Sequence, residues 1–378
     1  MLRPTLVLVS ALSCAIPAMA QGAPSFCGVP AASETRWLAE SYAETSTYGR
    51  GGIDEWIGSY GGLTAAGDSL FLYDQSRTRI VHLSGDLEER HAFGRQGDGP
   101  GEFARPIPIR WLDDVSEGHL DFDGRQLVVY DRNDLMFFDT EGEFLWSALL
   151  PGFGFNLGRL GVVFVSPVSE DAAVYGADML GTGPRRLELR LVRRSARDRS
   201  DMLWERAVPT RSREAREAGR AQMHNRQARS YWARHQNCIV VSDGGGASLW
   251  VVNIETLETD SITLPEWDVP DFGDLRSDRS GINIGGRVMG GSNPQPPDLL
   301  WRWRGLIVDP DGHAWVRAWT QARDEFEVFV VPLASGEARQ LSLPGFPTAF
   351  GPPGVFYTVL QTADEEHYIG RLEAERRK

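Results

Sequence analysis

Short apolar runs separated by polar turns dominate this chain. They include Ser69–Asp74, Gln126–Asp131, Asn237–Val241, Leu249–Val252, Trp315–Arg317, Val328–Val331 and Val355–Val359. Several are solid apolar stretches without apolar/polar alternation, the pattern of strands buried on both faces. The runs end in turn-forming clusters: Leu83-Ser84-Gly85-Asp86, Asp139-Thr140-Glu141-Gly142, Asp309-Pro310-Asp311-Gly312 and Ala334-Ser335-Gly336-Glu337. Gly supplies left-handed backbone angles there, and Asp and Ser bond nearby amides.

The strands fall into six groups, beginning near Leu63, Leu112, Leu160, Trp232, Trp303 and Phe346. A spacing of roughly 40 to 70 residues fits stacked blades better than a sandwich. The expected fold is therefore all-β, a six-bladed β-propeller with a helical insertion. Thr35–Ala43 is expected to add a strand to the last blade and close the ring.

The clearest repeat pairs Phe71-Leu72-Tyr73-Asp74 with Val128-Val129-Tyr130-Asp131. The recurrence of Asp74 and Asp131 at one place in the repeat points to turn-amide bonding rather than acid–base work. Between the two lies Gly94-Arg95-Gln96-Gly97-Asp98-Gly99-Pro100-Gly101-Glu102-Phe103. Gly97, Gly99 and Gly101 permit backbone angles closed to other residues, Pro100 stiffens the turn, and Phe103 can wedge between blades. This stretch resembles the blade-linking signature of NHL-type six-bladed propellers, a class that includes TolB-like exported bacterial proteins. The resemblance covers about 63–142. It implies a propeller and, if it extends to enzyme members of the wider class, one of two chemistries in the central channel. These are lactone hydrolysis with calcium held by Glu, Asn and Asp, or lyase chemistry with zinc on histidines. Neither ligand set can be assigned to residues of this chain.

Two segments depart from the repeat. Residues 185–235 carry 15 arginines against 6 acidic residues, and the stretch 212–234 has the composition of an exposed helical insertion. Its Arg213, Arg216 and Arg220 are candidate anion-binding residues, because guanidinium forks match phosphate and carboxylate groups. A solvated helix that offsets the acidic remainder is the competing explanation. Residues 266–300, rich in Gly, Pro and Asp, form a second insertion long enough to be functional or loosely ordered.

The N-terminus carries Arg3, an apolar run from Leu6 to Ile16, and Ala18-Met19-Ala20. This is the pattern of a secretory signal cleaved after Ala20. Residues 21–57 then form an N-terminal arm and 58–378 the propeller. A second reading makes Cys14 a lipid-modified cysteine. Elsewhere no stretch approaches the roughly 20 apolar residues of a membrane-spanning helix, so a periplasmic or secreted protein is expected. Removal of the signal leaves Cys27 and Cys238. In an oxidising compartment they either pair or remain two separate buried thiols.

A formal net charge of -13 argues against nucleic-acid binding. The only lysine is Lys378, which excludes P-loop, kinase and Schiff-base chemistry. There is no Gly-x-Ser-x-Gly elbow and no HExxH pair. Asp121-Phe122-Asp123-Gly124 and Asp309-Pro310-Asp311-Gly312 read as β-turns, because neither continues into a full calcium loop. Trp301-Arg302-Trp303-Arg304 reads as a strand with alternate faces buried. The sequence thus points to a monomeric, non-catalytic exported propeller without cofactor that binds a protein, peptide or glycan. The alternative is a calcium- or zinc-dependent hydrolase or lyase with its site in the channel.

Overall fold

The computed structural model describes residues 27, 35–39, 41–50, 57, 60–103, 120–131, 134–150, 162–179, 185–208, 230–267, 282–284, 287–289, 303–318, 320, 326–334, 337–362 and 367–375. They form six four-stranded antiparallel sheets arranged as the blades of a propeller, plus one small hairpin. The first strand, β1 (Tyr42–Tyr48), belongs to the last blade. Blade 1 is β2 (Tyr60–Ala66), β3 (Ser69–Asp74), β4 (Arg79–Ser84) and β5 (Glu89–Phe93). Blade 2 is β6 (Leu120–Phe122), β7 (Gln126–Asp131), β8 (Asp134–Asp139) and β9 (Phe144–Leu149). Blade 3 is β10 (Val162–Ser169), β11 (Ala172–Met179), β12 (Arg185–Arg193) and β13 (Ala196–Val208). Blade 4 is β14 (Tyr231–His235), β15 (Cys238–Ser242), β16 (Ser248–Asn253) and β17 (Thr259–Thr263). The hairpin β18 (Ile282–Ile284) and β19 (Arg287–Met289) follows. Blade 5 is β20 (Trp303–Val308), β21 (His313–Ala318), β22 (Phe326–Pro332) and β23 (Arg339–Leu343). Blade 6 is β24 (Ala349–Phe350), β25 (Val355–Gln361) and β26 (His367–Ala374), completed by β1.

The solid apolar strands have a direct explanation in the core, which is divided into six clusters, one per blade junction. Leu70 and Leu72 pack toward blade 6, whereas Phe71 and Tyr73, the alternate residues of the same strand, pack toward blade 2. In β15, Val240 faces blade 5 while Ile239 and Val241 face blade 3. A strand between two neighbours buries both of its faces, so both halves of the period-2 pattern are apolar.

The ring closes through β1, which pairs with β26 from Tyr42↔Ala374 to Tyr48↔Ile369 with a bulge between Glu44 and Ser46. The closing strand therefore lies C-terminal to most of the expected 35–43 segment. The earlier residues are anchored differently. Thr35 Oγ1 donates to Asp309 Oδ2 at 2.5 Å, and Arg36 forks onto Asp311. Trp37 Nε1 donates to the Gly351 carbonyl at 3.2 Å, and Trp37 and Tyr42 are both buried at the junction of blades 5 and 6. Cys27 is disulfide-bonded to Cys238 at the β14–β15 hairpin, with a Cα–Cα distance of 5.7 Å. The arm is thus fixed successively to blades 4, 5 and 6.

The first expected insertion, 185–235, is narrower than the sequence suggests. Residues 185–208 are the outer two strands of blade 3, and Tyr231–His235 is the inner strand of blade 4. The arginines of β12 have acidic partners, Arg186 with Glu205 and Glu188, Arg190 with Glu188, and Arg193 with Asp201, while Arg206 of β13 lies over the Trp250 ring. The proposed helix and Arg213, Arg216 and Arg220 lie outside the described residues. Of 266–300, the described part is Glu266, Trp267 and the β18–β19 hairpin.

Candidate functional site

The inner strands β2, β6, β10 and β14 of blades 1 to 4 run side by side at the centre of the ring. They bring together four polar side chains: Thr64, Asp121, Ser166 and Arg234. Thr64 Oγ1 donates to Asp121 Oδ1 at 3.1 Å. Asp121 also accepts from the Ser166 hydroxyl and the Phe122 amide. Arg234 Nη1 in turn donates to Ser166 Oγ at 3.1 Å, while its Nε donates to the Gln236 carbonyl at 2.8 Å. A second Nη1 contact reaches the Pro167 carbonyl. Four adjacent blades thus contribute one residue each to a continuous hydrogen-bond relay.

Thr64 and Ser166 are buried, whereas Asp121 is packed on all sides yet keeps some solvent-accessible surface. Burial pushes the Asp121 carboxyl above the usual carboxylate range. The Ser166 hydroxyl, the Arg234 charge, the Phe122 amide and the Thr64 hydroxyl act against that shift. A carboxyl so placed sits in a low-dielectric setting, where each hydrogen bond to a ligand is strong and each unmade one costly. Among the described residues, no three His, Cys, Asp or Glu side chains are grouped so as to hold one metal ion.

Asp121 was expected to be a turn residue. The turn is formed by Asp123, whose Oδ1 accepts from the amides of Arg125 and Gln126 at 2.9 Å. Asp121, two residues earlier, lies in β6 and pairs with Val128. In Asp309-Pro310-Asp311-Gly312 the turn is present, with the Gly312 amide donating to the Asp309 carbonyl at 3.0 Å. Its carboxylates additionally hold the arm. Asp309 is fully buried and accepts from Thr35, Trp315 Nε1 and the His313 amide. Burial opposes its ionisation, but bonds from His313, Thr35 and Trp315 outweigh that and hold its carboxyl below the usual range. His235 lies nearby, and burial lowers its pKa against the pull of Asp309.

The blade-linking stretch is structural in its contacts. Phe103 is fully buried, 5.1 Å from Tyr73 of blade 1 and 5.8 Å from Phe138 of blade 2 between ring centroids. Gln96 and Phe103 form a bridge that returns the chain on itself. Gly94 has φ +83°, and a β-carbon there would lie 2.2 Å from Phe103 Cε2. The Glu102 carboxylate folds back onto the Gly99 amide at 2.9 Å and Arg95 Nε at 2.7 Å. The Gly99 amide and Arg95 hold its carboxyl below the usual range. Gly97 gives that carboxylate room, since a β-carbon there would meet Glu102 Oε2. Pro100 and Gly101 complete the turn, Gly101 with φ +73° against Phe144.

Asp74 accepts from the Ser76 hydroxyl at 2.5 Å, the Arg77 amide at 3.3 Å and the Arg77 guanidinium. Asp131 receives the Tyr73 hydroxyl across the junction of blades 1 and 2, which with burial pushes the Tyr73 pKa far up. The repeat extends further than two blades. Asp178, next to last in β11, and Asp243, immediately after β15, occupy comparable places in blades 3 and 4. Asp243 accepts from the amides of Gly245 and Gly246. Asp178 is paired with buried Arg185, whose Nε lies 2.7 Å from Oδ1, and also accepts from the Ser230 hydroxyl at 3.1 Å. Trp303 is likewise a core residue, 1 % exposed, its Nε1 donating to the Gly246 carbonyl.

No protein-family model matches this chain, and no curated protein matches it. Solved structures do. A Bacteroides fragilis protein described as exported is similar over 89 % of this chain and 96 % of its own, with a TM-score of 0.52 at 7 % identity. A member of the DUF4221 family from Bacteroides vulgatus covers 98 % of this chain and 99 % of its own, with a TM-score of 0.51 at 11 % identity. A calcium-binding protein, regucalcin, from Agrobacterium tumefaciens covers 88 % and 96 %, with a TM-score of 0.40 at 12 % identity. At these identities the first two likenesses establish the propeller fold and nothing finer. Among the described residues no helix is long and apolar enough to cross a membrane.

Proposed function

We propose that this protein is an exported, non-catalytic propeller of NHL type that binds a protein, peptide or glycan through the axial end of its inner strands. The observation that carries this reading is the set of partners around Asp121. Hydroxyls from two other blades donate to it, and the Arg234 guanidinium of a third bonds Ser166 and acts on the carboxyl through its charge. Such a relay suits the recognition of a polar ligand, because Asp121 and Arg234 keep accessible surface and can exchange an internal bond for one to a hydroxyl or amide group, while buried Thr64 and Ser166 hold them in place. It does not resemble the convergent carboxylates or imidazoles with which a metal-dependent hydrolase holds its ion. The exported character rests on the N-terminal signal pattern, the disulfide and the likeness to a protein described as exported.

A turnover assay separates binding from catalysis. The purified protein is incubated with γ-lactones and aryl esters, with calcium or zinc supplied. Rates equal to the blank in wild type and Asp121→Asn agree with the proposal. Turnover that Asp121→Asn abolishes would replace it with a hydrolase reading.

A further inference from the structure

Blade 1 carries a pair of imidazoles on its outer strands that the axial relay does not use. His82 on β4 and His91 on β5 are register partners. Their side chains therefore leave the same face of the sheet, with β-carbons about 5 Å apart. The ring centroids are 4.9 Å apart and the ring planes cross at 84°. Phe71 stacks on His82 at 4.4 Å, and Phe93 stacks on His91 at 5.7 Å, so aromatic neighbours hold both rings. His82 is 6 % exposed, and its Nε2 lies 3.1 Å from Ser69 Oγ. Its Nδ1 and His91 Nε2 are both enclosed by protein and have no hydrogen-bond partner. Enclosed polar atoms normally find partners, and two orphaned nitrogens on touching rings need an explanation.

We propose that His82 and His91 form a binding site for a divalent late transition metal, Cu2+ or Zn2+, separate from the axial channel. Metal–imidazole bonds of about 2.0–2.1 Å place two ligating nitrogens about 3 Å apart. Ring centroids 4.9 Å apart are compatible with two imidazoles directed at one ion. The ligand atoms are His82 Nδ1 and His91 Nε2, the two that lack partners. Ser69 supplies what a metal-bound histidine ordinarily has, a partner on its other ring nitrogen that fixes tautomer and orientation. Imidazole donors favour copper and zinc over magnesium or calcium. Arg90 repels a cation at His82 more than either nearby carboxylate, Glu141 or Asp68, attracts it. With no third His, Cys, Asp or Glu grouped here among the described residues, the protein supplies two ligands, and access for further donors runs past partly buried His91.

The site has a practical consequence for the proposed function. Metal found in the purified protein would not by itself point to a channel enzyme, because it could reside in blade 1. The test uses the full mature protein after chelation, titrated with Cu2+ and followed by electron paramagnetic resonance and calorimetry. One equivalent is expected to bind with splitting from two imidazole nitrogens. His91→Gln should weaken binding by about tenfold or more, and Ser69→Ala by about tenfold. His367→Gln, on blade 6, should leave it unchanged. Affinity unaltered in His91→Gln, a wild-type spectrum without two nitrogen donors, or no binding at micromolar Cu2+ would each overturn the proposal. The wild-type spectrum decides the matter even if a variant folds poorly.

Discussion

Thr35 Oγ1 donates to Asp309 Oδ2 across 274 positions of sequence, and so joins the N-terminal arm to the first hairpin of blade 5. The acceptor is fully buried and also holds Trp315 and the His313 amide. Truncation at Asp309 would strand several enclosed donors at once. Asp309→Ala is expected to lower stability by about 3 kcal/mol or more, whereas Thr35→Val should cost about 1–2 kcal/mol. Urea denaturation of the two variants checks the ordering.

The same corner of the molecule gives a pH dependence. Burial lowers the His235 pKa in the folded state, so the folded protein binds fewer protons than the unfolded chain just below the ordinary histidine value. Its contribution is fully present above about pH 6.5 and is lost as pH falls through the folded pKa. Asp309, also depressed, adds a second loss below about pH 4. Melting temperature should therefore fall between pH 7 and 5 in wild type, and fall less steeply in His235→Gln.

Closure is expected to depend on the disulfide. Cys27 and Cys238 are separated by 211 positions, and the bond secures the beginning of the arm while β1 secures its end. Cys27→Ser should cost about 2–4 kcal/mol. Calorimetric melting of wild type with and without reductant provides the check: reductant should lower the wild-type transition and leave Cys27→Ser unmoved.

The blade-linking turn predicts a contrast between neighbouring positions. Phe103→Ala removes a fully buried ring from the junction of blades 1 and 2 and should cost about 3–5 kcal/mol. Gly94→Ala must place a side chain at positive φ and against the same ring. Its cost should exceed the roughly 1 kcal/mol of an ordinary strained glycine replacement. Gly124→Ala, also at positive φ but with open space around the β-carbon, should cost less. Denaturant midpoints rank the three.

Strand positions and the packing role of Phe103 were legible in the sequence, because they follow from local composition. A strand buried on both faces has to be apolar throughout, and a turn at positive φ has to carry glycine. The closing strand was displaced because the expected segment 35–43 takes in Trp37, whose indole is used instead to reach the Gly351 carbonyl. The arginines of β12 were misleading for a similar reason. Arg185 is buried against Asp178, Arg186 and Arg193 pair with Glu205 and Asp201 on β13, and Arg190 pairs with Glu188 of its own strand, none of which a linear charge count reveals. The axial relay was illegible altogether. Thr64, Asp121, Ser166 and Arg234 are isolated in sequence and meet because each occupies an inner strand. The one available signal was a carboxylate preceding the turn residue Asp123 inside an apolar context, Leu120-Asp121-Phe122.

The central claim, that Asp121 and its partners form a ligand-binding relay, separates function from stability. Because the folded-state pKa of Asp121 is raised, its ionisation weakens the fold as pH rises through that value. Asp121→Asn removes the charge, keeps the shape, and should leave the melting temperature at pH 7 unchanged or slightly higher. The most direct test measures binding of wild type and Asp121→Asn to an immobilised panel of bacterial envelope glycans and peptides. The account predicts a panel member that wild type retains and Asp121→Asn binds about tenfold or more weakly, the loss of one charged hydrogen bond. Equal binding by the two folded proteins would contradict it.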